Sequence, residues 1–108
     1  RLDVSVSSAT SLADTALPGF YRTIAARGYD KIESALQPGT VARYSYFGPL
    51  DKLNRPFCKT HAAQSRRGKT WTTAEILLMN NGKGQPKPVR IYCGGWRCRH
   101  QFGIAALE

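Results

Sequence analysis

The amino-acid sequence predicts an α+β domain, with an amphipathic helix followed by short strands and turns around a Cys/His knuckle of the zinc-binding type. Three observations carry this prediction. Apolar residues recur with a helical period over residues 19–36, and aromatic and β-branched residues alternate with polar ones over residues 41–47. All cysteines and histidines fall in two short stretches further on. We expect residues 1–18 to be a loose, extended segment and residues 19–108 to be a single domain.

The helix over residues 19–36 ends where Pro38 and Gly39 follow it. Pro18 and Gly19 stand before it, so that any helix over residues 11–17 would be short and separate. The apolar residues of the main helix are spaced by multiples of four and therefore share one face. We expect this face to pack against the core through Phe20, Ile24, Ile32 and Leu36.

Shorter elements follow the helix. The residue patterns predict a strand over residues 41–47 and a second short strand over residues 89–92. They predict a helical turn over residues 59–65. Thr72 with Glu75 three positions later is a capping-box pattern. It predicts a helix over residues 74–79 that buries Ile76, Leu77 and Leu78.

The positive charge lies almost entirely in the second half of the chain. The formal net charge is +9; residues 1–54 carry six basic and five acidic side chains, whereas residues 55–108 carry ten basic and two acidic ones. This asymmetry favours a polyanionic partner such as nucleic acid. No apolar run is long enough to cross a membrane, and no signal peptide is recognisable. We therefore expect no membrane partner. We also expect no small-molecule substrate.

Five side chains have the chemistry of zinc ligands. Cys58 and His61 form one close pair, and Cys93, Cys98 and His100 lie within eight residues. Zinc takes four soft or borderline ligands, often as close pairs from two loops. An odd number of cysteines without an export signal favours metal binding over disulfides. The spacing leaves two alternatives open: a structural zinc ion, or buried free cysteines beside two surface histidines.

An enzymatic alternative uses the same residues. A Cys58–His61 pair would be a nucleophile with its base, but no residue is placed to orient that base. A nuclease with His61 or His100 as base, and arginines or lysines on the phosphate, is the stronger enzymatic hypothesis. We expect no enzymatic activity, with a nuclease or toxin domain as the alternative.

Basic residues are interspersed with aromatic ones in the second half of the chain. Such a pattern binds phosphates without base-specific readout, and Trp96 is suited to stack on a base, whereas Trp71 is expected to be buried. No recognition helix is present. The candidate nucleic-acid-binding residues are Arg66, Arg67, Lys69, Lys83, Lys87, Arg90, Trp96, Arg97 and Arg99.

Two motifs carry a resemblance to a known family. Residues 46–51 (YFGPLD) followed by residues 54–58 (NRPFC) resemble a conserved segment of phage head morphogenesis proteins, the Mu F-like minor head proteins. Residues 94–102 (GGWRCRHQF) resemble the closing motif of that family. Asn54, Arg97 and Phe102 depart from the family pattern, which commonly has Thr, Asn and Trp there. The likeness extends over residues 15–102.

The resemblance implies a minor structural protein of the virion, at the portal vertex or inside the phage head after assembly in the host cytoplasm. Its implied partners are the portal or major capsid protein and packaged double-stranded DNA. It also selects Cys58, Cys98 and His100 as the core of the zinc site, with His61 and Cys93 as rivals for the fourth position. Because the family has longer chains and this one lacks an initiating Met, we expect it to be a C-terminal domain.

Overall fold

The computed structural model describes residues 6–52, 54–95 and 98–108, with side chains described from residue 17 onward. The chain forms an α+β fold, as the sequence predicts. Within the described residues, no helix has both the length and the hydropathy of a membrane span. The elements in chain order are α1 (Val6–Ser34), β1 (Ala42–Phe47), α2 (Pro56–Arg66), α3 (Thr73–Leu77), α4 (Val89–Tyr92) and β2 (Gln101–Leu107).

Strands β1 and β2 form a two-stranded antiparallel sheet. Tyr46 pairs with Phe102, Phe47 pairs with Gln101, and the register shifts once between Arg43 and Tyr44. Alternate residues of β1 are buried, with Tyr44 and Tyr46 each 1% exposed. Because two strands alone are marginally stable in water, this sheet depends on the helices that cover its buried face.

The helices α2 and α3 cover that face. Pro56 opens α2 at a position where its missing N–H has no role, and Phe57 and Cys58 are buried toward the sheet. The capping box predicted at Thr72 and Glu75 is confirmed, and it begins α3, whose Ile76 is fully buried. A single antiparallel bridge to Tyr44 holds Trp71, which is buried as expected.

The prediction of a loose, extended segment is wrong for residues 6–18, because α1 is one helix that begins at Val6 and continues through Pro18. Residues 1–5 lie outside the described part of the chain. Residues 9–17 are rich in alanine and leucine, which favour a helix. Pro18 removes a single backbone N–H donor, and α1 continues on both sides of it.

The predicted packing face of α1 is also wrong. Phe20 is 61% exposed and Ile24 is 54% exposed, whereas Arg22 and Ala26 on the opposite side are buried. Small residues explain why the side of Arg22 and Ala26 is the one that packs. A Cβ added to Gly19 would lie 3.1 Å from the Tyr92 ring. The small-residue face lets α1 approach α4 closely. Leu36, at the end of the predicted stripe, is the member that packs against the core.

Two short elements differ from their predictions. Residues 89–92 form helix α4 and not a strand, with Pro88 as its N-cap residue and Val89 buried. One side of α4 faces α1, and α4 also contacts α3 and β2. Leu77 and Leu78 are exposed, Leu78 at 87%, because the single turn of α3 directs only Ile76 into the core.

Polar contacts attach α1 to the rest of the fold. Arg22 is 9% exposed, and its Nη2 donates to the backbone oxygen of Cys98 at 2.6 Å. Arg90 of α4 donates to Asp30 at 2.6 Å, and the Tyr44 hydroxyl donates to Glu33 at 2.8 Å. The buried Arg22 contact joins residues 76 apart in sequence, so it depends on the tertiary fold alone.

Replacing Arg22 with methionine tests this attachment. The change keeps most of the side-chain volume but leaves the buried Cys98 carbonyl without its donor, so the free energy of unfolding should fall by about 1–3 kcal/mol. Arg27→Met is the matched control, because Arg27 is exposed on the same helix and should change stability by less than about 0.5 kcal/mol. Urea denaturation of the two variants measures the difference. Equal effects would contradict the role assigned to Arg22.

Candidate metal centre

Three predicted ligands meet between α2 and the start of β2. The sulfur atoms of Cys58 and Cys98 and one ring nitrogen of His100 all lie within 4.8 Å of one another, and all three residues are buried. Cys58 lies in the first turn of α2, and His100 comes directly before β2. The pairing of Tyr46 with Phe102 brings the two segments together. The prediction that these three residues come together is therefore confirmed.

The spacing of the two sulfur atoms fits a tetrahedral metal. The Cys58 and Cys98 sulfurs are 3.6 Å apart. Two thiolates bound at about 2.3 Å to one tetrahedral zinc would be about 3.8 Å apart, whereas a disulfide requires about 2.05 Å. Two sulfurs and an imidazole nitrogen suit zinc or another soft or borderline cation. The residues present therefore fit a metal ion with thiolate and imidazole ligands.

The His100 ring is held in one orientation. Its Nε2 lies 2.7 Å from the backbone oxygen of Pro49, and because a carbonyl only accepts, Nε2 carries the hydrogen. Nδ1 is then the nitrogen with a lone pair available for a metal. The ring stacks on Tyr46 at a centroid distance of 5.3 Å and an interplanar angle of 12°. A Cβ at Gly48 would lie 2.5 Å from the ring, so glycine is needed there.

Backbone N–H groups surround the Cys98 sulfur. The N–H of Gly94 donates to it at 3.2 Å, and the N–H of His100 donates at 3.4 Å. A Cβ at Gly94 would overlap the Cys58 sulfur and lie 3.3 Å from that of Cys98. Glycine at position 94 thus allows the backbone to reach both sulfurs, and its N–H helps to stabilise negative charge on Cys98.

Tyr46 is a site residue to which the sequence analysis assigned no role. Its hydroxyl lies 3.3 Å from the Cys58 sulfur and 3.5 Å from the Cys98 sulfur, and the side chain is fully buried. Burial raises the pKa of Tyr46, so the hydroxyl keeps its proton and can donate to the sulfurs. The sequence feature that could have indicated this role is a tyrosine at a strand position expected to be buried, where its hydroxyl needs a hydrogen-bond partner.

Hydrogen bonds between the thiols favour a negative charge on Cys98 over one on Cys58 or Cys93. Donation from Cys58 and Cys93 lowers the pKa of Cys98. The pKa values of Cys58 and Cys93 are raised, first by their hydrogen bonds to Cys98 and second by burial. A metal that binds both Cys58 and Cys98 must therefore displace the proton of Cys58, and its affinity falls as the pH falls.

The two rivals for the fourth position have different surroundings. Cys93 is fully buried, and the neighbouring Cys98 raises the pKa of its thiol. Its backbone has φ 52 and ψ −116, a strained conformation for a residue with a Cβ. Neither Cys93 nor His61 belongs to the cluster of three found among the described residues. The Nδ1 of His61 is 2.8 Å from the Phe57 oxygen, and the His61 ring packs at 4.1 Å on the Phe57 ring. Cys93 therefore interacts with Cys98 without joining the cluster, whereas His61 lies among aromatic rings.

The predicted nucleic-acid-binding residues separate into two groups. Arg66, Arg67, Lys69 and Lys83 are exposed. Arg66 donates to the Gly48 carbonyl at 3.3 Å, and Lys69 interacts electrostatically with Glu75. Lys69 lies 5.9 Å from the centre of the Trp71 ring. Arg66, Arg67 and Lys69 lie at the end of α2 and in the turn after it, and we name these three residues the α2 basic turn.

Three other predicted residues are engaged within the fold. Arg90 pairs with Asp30 and Glu33, and Arg99 donates two hydrogen bonds to the Asp51 carboxylate at 2.9 and 3.1 Å. Lys87 donates to the side chains of Asn80 and Asn81 and to the Gly82 carbonyl. Trp96 and Arg97 lie outside the described residues.

Comparisons of the chain with protein-family models, with curated proteins and with solved structures find no match. The geometry of the site and the chemistry of its side chains are therefore the basis for a functional proposal, together with the motifs quoted above.

Replacing Tyr46 with phenylalanine tests the hydroxyl contact to the sulfurs. The ring and its packing remain, but the sulfurs lose a hydrogen-bond donor, so metal affinity should fall by about tenfold or more. Tyr21→Phe is the matched control, because Tyr21 is exposed on α1, and it should leave affinity unchanged. Competition titration with a zinc chelator gives both affinities. An unchanged affinity in Tyr46→Phe would show that the hydroxyl does not support the site.

Proposed function

We propose that this chain is a structural domain in which Cys58, Cys98 and His100 hold a zinc ion that staples α2 to the segment before β2. The observation that carries the proposal is the convergence of three buried ligands, two of which are sulfurs at tetrahedral spacing. Zinc is the metal of choice because two thiolates with an imidazole are a common structural zinc donor set. The ion would supply cross-linking strength to a fold with a two-stranded sheet.

Burial favours a structural role over a catalytic one. Catalytic zinc keeps one position open to water or substrate, whereas Cys58, Cys98 and His100 are between 1% and 6% exposed. Cys93 lies beside the sulfurs and is our candidate for the fourth ligand. The nuclease alternative receives less support, because one ring nitrogen of each histidine is engaged by a backbone carbonyl and His100 is fully buried.

We further propose that the domain belongs to a minor protein of a bacteriophage head and acts in capsid or portal assembly. The support is the pair of motifs that resemble Mu F-like head proteins. The motif residues Gly48, Cys58, Gly94, Cys98 and His100 all lie at the candidate metal centre, so the resemblance and the geometry concern the same residues.

The proposed DNA contact is made by the α2 basic turn, with Lys83 as a further exposed cation. The three residues of this turn are exposed, so their charges are accessible to phosphates. Arg90 and Arg99 are left out of the interface because they pair with carboxylates inside the fold.

Metal analysis tests the staple. Elemental analysis of the purified chain should find about one zinc ion per molecule, and Cys58→Ser, Cys98→Ser or His100→Ala should lose it and lower the melting temperature by more than about 10 °C. His61→Gln is the matched histidine control and should retain the metal. Cys93→Ser decides the fourth ligand by its metal content. A metal-free protein whose stability is unaffected by chelators would refute the staple.

Salt-dependent DNA binding tests the α2 basic turn. Arg67→Ala/Lys69→Ala should weaken binding to a duplex of arbitrary sequence and reduce the slope of log K against log salt by about two. Arg27→Ala/Lys31→Ala removes the same charge from α1 and should leave the slope close to that of the unmodified chain. An equal reduction in both variants would indicate attraction by net charge alone. Cleavage of DNA or RNA that disappears in folded His100→Ala would favour the nuclease alternative.

A further inference from the structure

Helix α1 carries an exposed stripe that the proposed function does not use. Leu17, Phe20 and Ile24 follow one another at spacings of three and four residues, which places them on one side of the helix. Leu17 is 60% exposed, and Phe20 and Ile24 are exposed by more than half. This side is opposite the buried face of Arg22 and Ala26, so in the described part of the chain the stripe faces solvent.

The same stripe continues with two cations. Arg27 and Lys31 follow Ile24 at further spacings of three and four residues, and both are exposed. The acidic residues of this part of the helix do not neutralise them: Asp30 pairs with Arg90, and Glu33 accepts from the Tyr44 and Thr73 hydroxyls. Arg27 and Lys31 have no carboxylate partner among the described residues. The stripe is therefore apolar in its first half and positively charged in its second.

A stripe with alternating spacings of three and four residues is the seam on which another helix packs. A second copy of this chain is a poor occupant. A parallel pair would place Arg27 and Lys31 opposite the same cations of the other copy. An antiparallel pair centred on Ile24 would place Lys31 opposite Leu17 of the other copy. Arg27 would then lie beside the aromatic rings of the other copy, and neither cation would face an opposite charge. The net charge of +9 adds to the repulsion.

We propose that the α1 stripe is a docking surface for an acidic amphipathic helix of another protein. The apolar side chains of that helix pack on Leu17, Phe20 and Ile24, and its carboxylates lie opposite Arg27 and Lys31. Charge complementarity decides the class of partner, because an apolar seam that ends in two unpaired cations is matched by an apolar seam that ends in carboxylates. The proposal is independent of the metal centre and of the α2 basic turn.

Two synthetic helical peptides test the proposal. Each peptide is about three heptads long, with leucine at its central seam positions. At the seam positions of both ends, and at the positions next to them, one peptide carries glutamate and the other carries lysine. Placing the charges at both ends makes the test independent of helix direction. Fluorescence anisotropy with the full chain should show the acidic peptide binding about tenfold more tightly than the basic one.

Matched variants separate the stripe from general charge attraction. Arg27→Glu/Lys31→Glu should reverse the preference between the peptides, whereas Arg67→Glu/Lys69→Glu, with the same change in net charge, should preserve it. Phe20→Asp/Ile24→Asp should abolish binding of both peptides, and circular dichroism should show an unchanged fold because both side chains are exposed. Equal binding of the two peptides, or equal effects of the two charge-reversal variants, would overturn the proposal. Sedimentation that shows a dimer abolished by Phe20→Asp would assign the stripe to a second copy.

Discussion

The fold depends on the contacts made at Cys98. Its sulfur receives backbone N–H groups from Gly94 and His100 and lies 3.6 Å from the Cys58 sulfur. Its carbonyl accepts a hydrogen bond from Arg22, which comes from α1. One residue thus connects the knuckle, α2 and the long helix. A metal bound there would act at the point where the elements converge, since a two-stranded sheet supplies little stability alone.

Close approach of the backbone makes this convergence possible. Gly94 lies where any side chain would collide with the Cys58 sulfur, and Gly48 lies where one would collide with the His100 ring. Tyr46 then fills the space between the sulfurs and His100, with its hydroxyl directed at the sulfurs and its ring stacked on the imidazole. The same strand residue therefore contributes both to the hydrophobic core and to the polar surroundings of the site.

The charges of α1 are separated between its two sides. Asp30 and Glu33 are directed toward Arg90, Tyr44 and Thr73, whereas Arg27 and Lys31 remain exposed. This separation has two consequences: the inner side is attached to the domain by polar contacts in addition to small apolar residues, and the outer side keeps positive charge beside an apolar stripe. A helix with Phe20 and Ile24 exposed and an arginine buried reverses the usual expectation from hydropathy.

The sequence by itself determined the α+β class, a strand close to residues 42–47 and the capping box at Thr72, because these features depend on local spacing. Spacing and residue type offered five candidate ligands, and the motif resemblance selected Cys58, Cys98 and His100 among them. Only the tertiary structure decided which side of α1 packs, that residues 89–92 are helical, and that Tyr46 and Arg22 reach Cys98. The physical reason is that each of these features depends on a partner distant in sequence. Arg22 is buried because a carbonyl 76 residues away accepts its hydrogen bond. Phe20 is exposed because Gly19 and Ala26, on the other side of the helix, allow closer packing.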